Sequence, residues 1–202
     1  MSGQLSVQDL AQIHAGIRDK YTRVASGPAG HFTYPTGKDG LAGLNYDGEL
    51  LSKLPDAVAA SYCGVGNPLS SGAIKTGDRV LDVGCGAGVD ALLAAILVGD
   101  SGSVLGIDLT PEMIRKAAEN QRAVQVGNVE FMEAGIQDLS SMADHFDGVI
   151  SNGVFNLIPD KEAALKAVFR LLKPGGRLSL ADQFLKGSAS KNLGERVASW
   201  FQ

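Results

Sequence analysis

The sequence predicts an α/β fold, doubly wound around a mostly parallel sheet, and three observations carry that prediction. From residue 79 onward, short apolar stretches (RVLDVG at 79–84, SVLGID at 103–108, VEFMEA at 129–134, FDGVISN at 146–152, RLSLAD at 177–182) alternate with helical patterns. Strands separated by helices run parallel and are covered on both faces. The 26 glycines, nearly twice the usual share of about 7%, fall where strands hand over to helices. Hydrophobic residues at 45% and charged residues at 20% exclude a disordered chain, and 202 residues suffice for one sizeable core without disulfides or metals.

Residues 5–25 place Leu10, Ile13, Ile17, Tyr21 and Val24 at spacings of 3, 4, 4 and 3, the stripe of an amphipathic helix. Residues 26–47 turn to Gly, Pro and Tyr and read as loop, and 48–60 as a short helix interrupted or turned at Pro55. An N-terminal helical and loop cap over 1–70 and a larger unit over 71–202 follow from this change of pattern. In the larger unit, 79–84 is the first strand and 89–98 a buried helix; 103–108 is the second strand. Thr110 then suits a helix N-cap, with Pro111 at the first helical position and Glu112 beside the positive end of the dipole. Residues 129–134 and 146–152 are the third and fourth strands, 160–172 a helix, Lys173-Pro174-Gly175-Gly176 a turn, 177–182 the fifth strand and 190–201 a last helix.

Charge and composition narrow the function classes. With 18 Lys+Arg against 22 Asp+Glu, the net charge of −4 gives no global attraction for nucleic-acid phosphate or anionic lipid. Cys63 and Cys85 cannot build a disulfide framework, His14, His31 and His145 are scattered, and no CxxC or His-rich spacing suggests a metal. The longest apolar run, 91–98, falls far short of the roughly 20 residues that span a bilayer. The N-terminus MSGQLSVQDLAQ lacks the basic flank and apolar core of a signal peptide, so a cytoplasmic protein without membrane, nucleic-acid or metal partners is expected.

In such a sheet, ligands bind beyond the carboxyl ends of the strands at the switch point. The first strand ends Asp82-Val83-Gly84-Cys85-Gly86-Ala87-Gly88, with Asp90 in the helix that follows. Glycines there allow a tight turn and close approach, and N–H groups at the helix start suit an anion such as a carboxylate. A GxGxxG dinucleotide loop would need its third glycine at Val89, one residue later than Gly88, which disfavours a nicotinamide-dependent oxidoreductase. Asp108 ends the second strand, where a carboxylate accepts hydrogen bonds from a ribose diol or simply sits in solvent before a helix cap. Gly135 and Ile136 after the third strand offer a purine wall or ordinary core, and Asn152 after the fourth faces the same crevice or makes a turn.

Together these residues resemble the class I S-adenosylmethionine-dependent methyltransferases, whose fold is Rossmann-like. The set is Val80-Leu81-Asp82-Val83-Gly84-Cys85-Gly86-Ala87-Gly88, Asp108 at the next strand end, and Leu171-Leu172-Lys173-Pro174-Gly175-Gly176 before the fifth strand. Tyr46-Asp47-Gly48-Glu49-Leu50, Gly64-Val65-Gly66-Asn67-Pro68, Asp108-Leu109-Thr110-Pro111-Glu112-Met113 and Ile150-Ser151-Asn152-Gly153-Val154-Phe155-Asn156-Leu157 narrow the resemblance to the arsenite-methyltransferase-like branch, over residues 44–182. It implies S-adenosyl-L-methionine as cofactor, with Asp82, Gly84, Cys85, Gly86 and Gly88 at the methionine moiety and Asp108 at the ribose. Leu109, Met113, Gly135 and Ile136 would line the adenine, and Asn152 would offer backbone to the amino group. The implied reaction is SN2 methyl transfer to a small-molecule acceptor, without a metal, in a site that aligns the reactants and excludes water.

The departures from that branch concern the acceptor. Arsenite methyltransferases hold trivalent arsenic through several cysteines; at two of those places this chain has Gly153 and Val65, with Cys63 displaced nearby. Arsenite is therefore not expected as acceptor. Tyr46, Tyr62, Cys63, Asn67 and Asn156 are the residues expected on the substrate side, each with a plainer reading as packing, turn or cap residue. The resembling enzymes add two strands after the fifth; about 20 residues follow Asp182 here, so these strands are expected to be missing and the fifth strand to be an edge. Either a like or unlike chain is expected to cover that edge, or the chain is expected to be a shortened form with weak or no catalysis. A chain that binds the cofactor without activity of its own, completed by a partner, is the alternative reading.

Overall fold

The computed structural model describes residues 5–143 and 145–184. Five strands form one all-parallel sheet: β1 (Arg79–Val83), β2 (Ser103–Asp108), β3 (Val129–Glu133), β4 (Phe146–Asn152) and β5 (Leu172–Ala181). Their order is β3-β2-β1-β4-β5, so the chain reverses direction across the sheet between β1 and β4. This is the switch point at which open α/β sheets bind ligands.

β1 shows why the sheet is covered twice. Val80 turns to one face and packs in the cluster of Leu92, Val104 and Ile150; Leu81 and Val83 turn to the other, with Ile107, Val149 and Val168. The helices α5 (Val89–Val98) and α6 (Pro111–Val124) cover the first face, and α7 (Lys161–Leu171) the second. α5 is buried along nearly its whole length because a second layer lies over it, α2 (Gly37–Gly43), α3 (Gly48–Leu51) and α4 (Asp56–Ala59). Leu41, Leu50, Leu54 and Val58 of that layer belong to the same core cluster as Val80 and Leu92. α1 (Val7–Val24) starts from a capping box in which Ser6 and Asp9 bond each other's backbone N–H.

Three sequence expectations change locally. Residues 26–47 hold α2 as well as loop. Thr110 occupies the N-cap of α6, but its side chain makes no capping bond and its N–H goes to Asp108 Oδ1 at 2.8 Å. Residues 173–176 are not a turn before the strand. They belong to β5 and bulge opposite Asp147, the register stepping from Phe146–Leu172 to Gly148–Arg177. Lys173 Nζ donates to both Asp147 oxygens at 2.8 Å, which pins the bulge. Among the described residues β5 is paired on one side only, by β4. The expected last helix, and the expectation about further strands after the fifth, concern residues beyond 184, outside the described residues. No helix among the described residues is long and apolar enough to cross a membrane.

Candidate active site

A cavity of about 810 Å³ opens beyond the carboxyl ends of β1 to β4. Its floor is the β1–α5 loop. Gly84 and Cys85 donate their N–H to Ile107 O (2.8 and 2.9 Å), Gly86 to Asp108 Oδ2 (3.0 Å) and Gly88 to Cys85 O (2.8 Å). These bonds hold the loop's own shape, while at the helix start itself the Ala91 N–H is hydrogen-bonded to the Asp82 carboxyl. Gly86 has φ +52 and a Cβ added there would meet nothing within 4 Å, so the backbone faces open space where a ligand can lie against it.

The floor is acidic. Asp82 is 2% exposed, and its Oδ2 has no hydrogen-bond partner among the described residues. Burial, then the charges of Asp90 and Asp108, raise its carboxyl well above the usual range. Asp90, the one charged residue of α5, accepts from Tyr46 Oη at 2.6 Å and Asn152 Nδ2 at 2.9 Å. Burial pushes it up to about 6 despite those two bonds. Asp108 accepts from the N–H groups of Gly86 and Thr110, and burial again outweighs these bonds and raises its pKa. The Asp82 carboxyl accepts the Ala91 N–H but leaves Oδ2 without a partner, which is costly when buried, and three acids on one cavity wall favour a ligand with positive charge.

Asn152 ties the cap to the sheet. Its Nδ2 also donates to Gly66 O (2.7 Å), and its Oδ1 accepts from the N–H groups of Val65 and Gly66 (2.8 and 3.1 Å). A Cβ on Gly64 would lie 2.3 Å from Asn152 Nδ2 and 2.5 Å from Tyr62 Oη, so only glycine fits this closure.

Of the sequence-expected residues, Asp82, Gly84, Cys85, Gly86, Asp108, Leu109, Gly135, Ile136, Asn152, Tyr62 and Cys63 meet around this one cavity. Five do not line it. Gly88 turns to Phe131 and Ala117, and Met113 is 1% exposed in a cluster with Val24 and Ala87. The Tyr46 hydroxyl is committed to Asp90. Asn67 donates to Asn45 O and accepts from Leu69 N–H, shaping its own turn. Asn156 sends its N–H to Asp182 Oδ2, and its Oδ1 is buried without a partner among the described residues. Cys63 faces the cavity as a thiol: burial, reinforced by Asp108 and Asp90, pushes it up to about 12. Burial raises Cys85 as well.

Sequence reasoning named Asp90 beside the loop without giving it a role, and did not find the roof. Asp90 was detectable as the lone charge in VDALLAAILV. The sequence shows the α1 stripe as one amphipathic face, and the structure splits it: Ile13 and Val24 are buried, whereas Leu10, Ile17 and Tyr21 line the cavity together with His14 and Arg18. Thr22 Oγ1 donates to Glu112 Oε2 (3.1 Å) and Arg18 to Leu109 O (3.4 Å), which dock α1 on the start of α6.

Residues 74–201 match the family described as "Methyltransferase domain". An arsenite methyltransferase of Halobacterium salinarum is 40% identical over 157 residues, 78% of this chain and 40% of that protein. One from Aquipseudomonas alcaligenes is 44% identical over 142 residues, 67% of this chain and 40% of that protein. The solved arsenic (III) S-adenosylmethionine methyltransferase of Chlamydomonas reinhardtii superposes with TM-score 0.55 at 35% identity, covering 74% of this chain and 50% of that one. The chain thus spans about two-fifths of the length of these curated relatives. They lend no support to the expectation that arsenite is excluded as an acceptor. The fold order, the acid-ended β1 and β2 and the match over 74–201 lead to one family: the chain belongs to the class I S-adenosylmethionine-dependent methyltransferases.

Proposed function

We propose that this chain binds S-adenosylmethionine across the carboxyl ends of β1 and β2 and directs its methyl group to a small-molecule nucleophile held under α1. The observation that carries this reading is the unpartnered, buried Asp82 Oδ2 beside Asp90 and Asp108 in a single cavity. The cofactor brings an ammonium and a sulfonium to such a wall, together with a ribose diol for Asp108. Asp82 would receive the ammonium, with the Asn152 backbone beside it. Leu109, Ala134 and Ile136 would hold the adenine between apolar surfaces.

When bound, the cofactor would supply an electrophilic methyl carbon to the acceptor's lone pair, with the C–S electron pair retained by S-adenosylhomocysteine as the leaving group. The residues of this chain align and desolvate. Asp108 and the loop at 84–87 would fix the donor, and α1 would close the cavity against water, the conditions under which a bimolecular displacement gains most from a protein. Cys63, Tyr62 and Tyr21 are poorly suited to take a proton-accepting role as anions, because burial makes each hold its proton more tightly than usual.

Calorimetric titration with S-adenosylhomocysteine and, separately, with NAD tests the reading. Binding of the first alone supports it, and preference for NAD overturns it. Turnover of labelled S-adenosylmethionine against a panel of thiol, oxygen, nitrogen and arsenite acceptors then tells an enzyme from a chain that only binds the cofactor.

A further inference from the structure

The cavity has two electrically different sides. Its buried acids, Asp82, Asp90 and Asp108, all come from β1, α5 and β2. The roof instead comes from α1, where residues 10, 14, 17, 18 and 21 fall on one helix face. Leu10 and Ile17 are apolar there, and His14, Arg18 and Tyr21 offer hydrogen-bond donors. Arg18 spends one long bond (3.4 Å) on Leu109 O, leaving the rest of its guanidinium fork unspent on it. The Tyr21 hydroxyl makes no hydrogen bond within the described residues, although the ring is half-buried against Phe32 and the Cys63 cluster. Its raised pKa, from burial first and the Cys63, Tyr34, Asp108 and Asp182 charges after it, keeps it a donor at neutral pH.

Val154, Leu157, Ile158 and Pro159 add an apolar stretch of wall; the acids that border it, Asp138 and Asp160, are exposed and accept from the Gly135 and Ala163 N–H groups of their own turns. At about 810 Å³ the cavity lies toward the upper end of the roughly 300–1,000 Å³ range of ligand pockets, enough for a second molecule beside a nucleoside. A neutral, wholly apolar occupant would strip water from Arg18 and Tyr21 and return nothing. A cation would meet Arg18.

From this arrangement we infer that α1 is the acceptor-binding wall, with Arg18 and Tyr21 as its contact residues, and that the acceptor is an apolar molecule carrying a carboxylate or similar oxyanion. The inference rests on the reading that the acidic floor holds S-adenosylmethionine.

The test uses protein saturated with S-adenosylhomocysteine, titrated by calorimetry with 2-naphthoate and with its neutral analogue 2-naphthalenemethanol. The acid is expected to bind about tenfold tighter than the alcohol, since the charge-assisted bonds to Arg18 are available only to it. Arg18→Gln should remove that tenfold advantage and Tyr21→Phe about threefold of it, while Arg18→Lys retains part. S-adenosylhomocysteine affinity in each variant, expected within about twofold of the parent, also reports that the variant is folded. Equal affinity for acid and alcohol in the parent protein, no binding of either, or naphthoate binding indifferent to both variants overturns the inference. Loss of S-adenosylhomocysteine binding in the parent protein instead removes the cofactor reading, so the two failures are distinct.

Discussion

The floor and the roof of the cavity are built on opposite principles. On the floor, polar groups stand at the ends of strands whose backbones are locked in a parallel ladder, so Asp82 and Asp108 are held by register as much as by their own bonds. The roof is one helix docked through side chains, Thr22 on Glu112 and Arg18 on Leu109 O, with the amphipathic stripe of α1 divided between core and cavity. A rigid acidic floor suits a cofactor of fixed shape. A helical wall can change its side chains without disturbing the sheet, which is how one fold serves different acceptors.

The largest expected effect breaks the floor. Asp108→Ala removes a carboxylate acceptor and leaves the Gly86 and Thr110 N–H groups without their partner. Charge-assisted bonds of this kind are worth about 1.5–3 kcal/mol, so calorimetric affinity for S-adenosylhomocysteine should fall roughly ten- to a hundredfold. Gly64→Ala strikes the seam between floor and cap, where the new Cβ would press on Asn152 and Tyr62. Overpacking of that sort costs about 1–3 kcal/mol, read as a lowered urea midpoint at unchanged slope.

A pH series sharpens the contrast. Asp90 titrates at about 6 in the folded chain against 3.8 as the ordinary value, so the folded state binds its proton more tightly. Its contribution to stability is then complete below pH 3.8 and declines as pH rises through about 6. A cationic cofactor favours the ionised form, so S-adenosylmethionine affinity should climb between pH 5 and 7, by at most about tenfold per pH unit. Asp90→Asn should flatten that climb; an unaltered slope would place the titration elsewhere. The smallest effect concerns β5, paired on one side only among the described residues, where Leu180 is 42% exposed and the nearby Phe184 90%. Sedimentation equilibrium should show mass above 21.0 kDa rising with concentration, and a constant monomer mass would remove the proposed partner at this edge.

The floor was legible in the sequence because its chemistry sits on local signals. An apolar run ending in an acid and followed by spaced glycines specifies a strand, a turn and a helix start within ten residues, and Asp82, Gly86 and Asp108 were found that way. Tyr46 and Met113 were misplaced for a different reason. Each is near the site in sequence, but Tyr46 reaches under it to Asp90 and Met113 packs behind it against Val24. Both contacts span long stretches of chain that no local pattern records. The bulge at 173–176 likewise depends on Lys173 meeting Asp147 across the sheet, which Lys-Pro-Gly-Gly alone does not announce. His14, Arg18 and Tyr21 lie on a helix whose periodicity was plain; what the period could not tell was that its stripe covers a cavity as well as a core.

The central claim is that one cavity joins a cofactor floor to an acceptor roof. A crystal structure with S-adenosylhomocysteine bound tests it most directly. The account predicts the ribose hydroxyls on Asp108, the amino group at Asp82 Oδ2 and the sulfur turned toward α1, with Arg18 and Tyr21 bordering the space beyond it. Ligand bound away from Asp108, or α1 lifted off so that Tyr21 faces solvent, would contradict it.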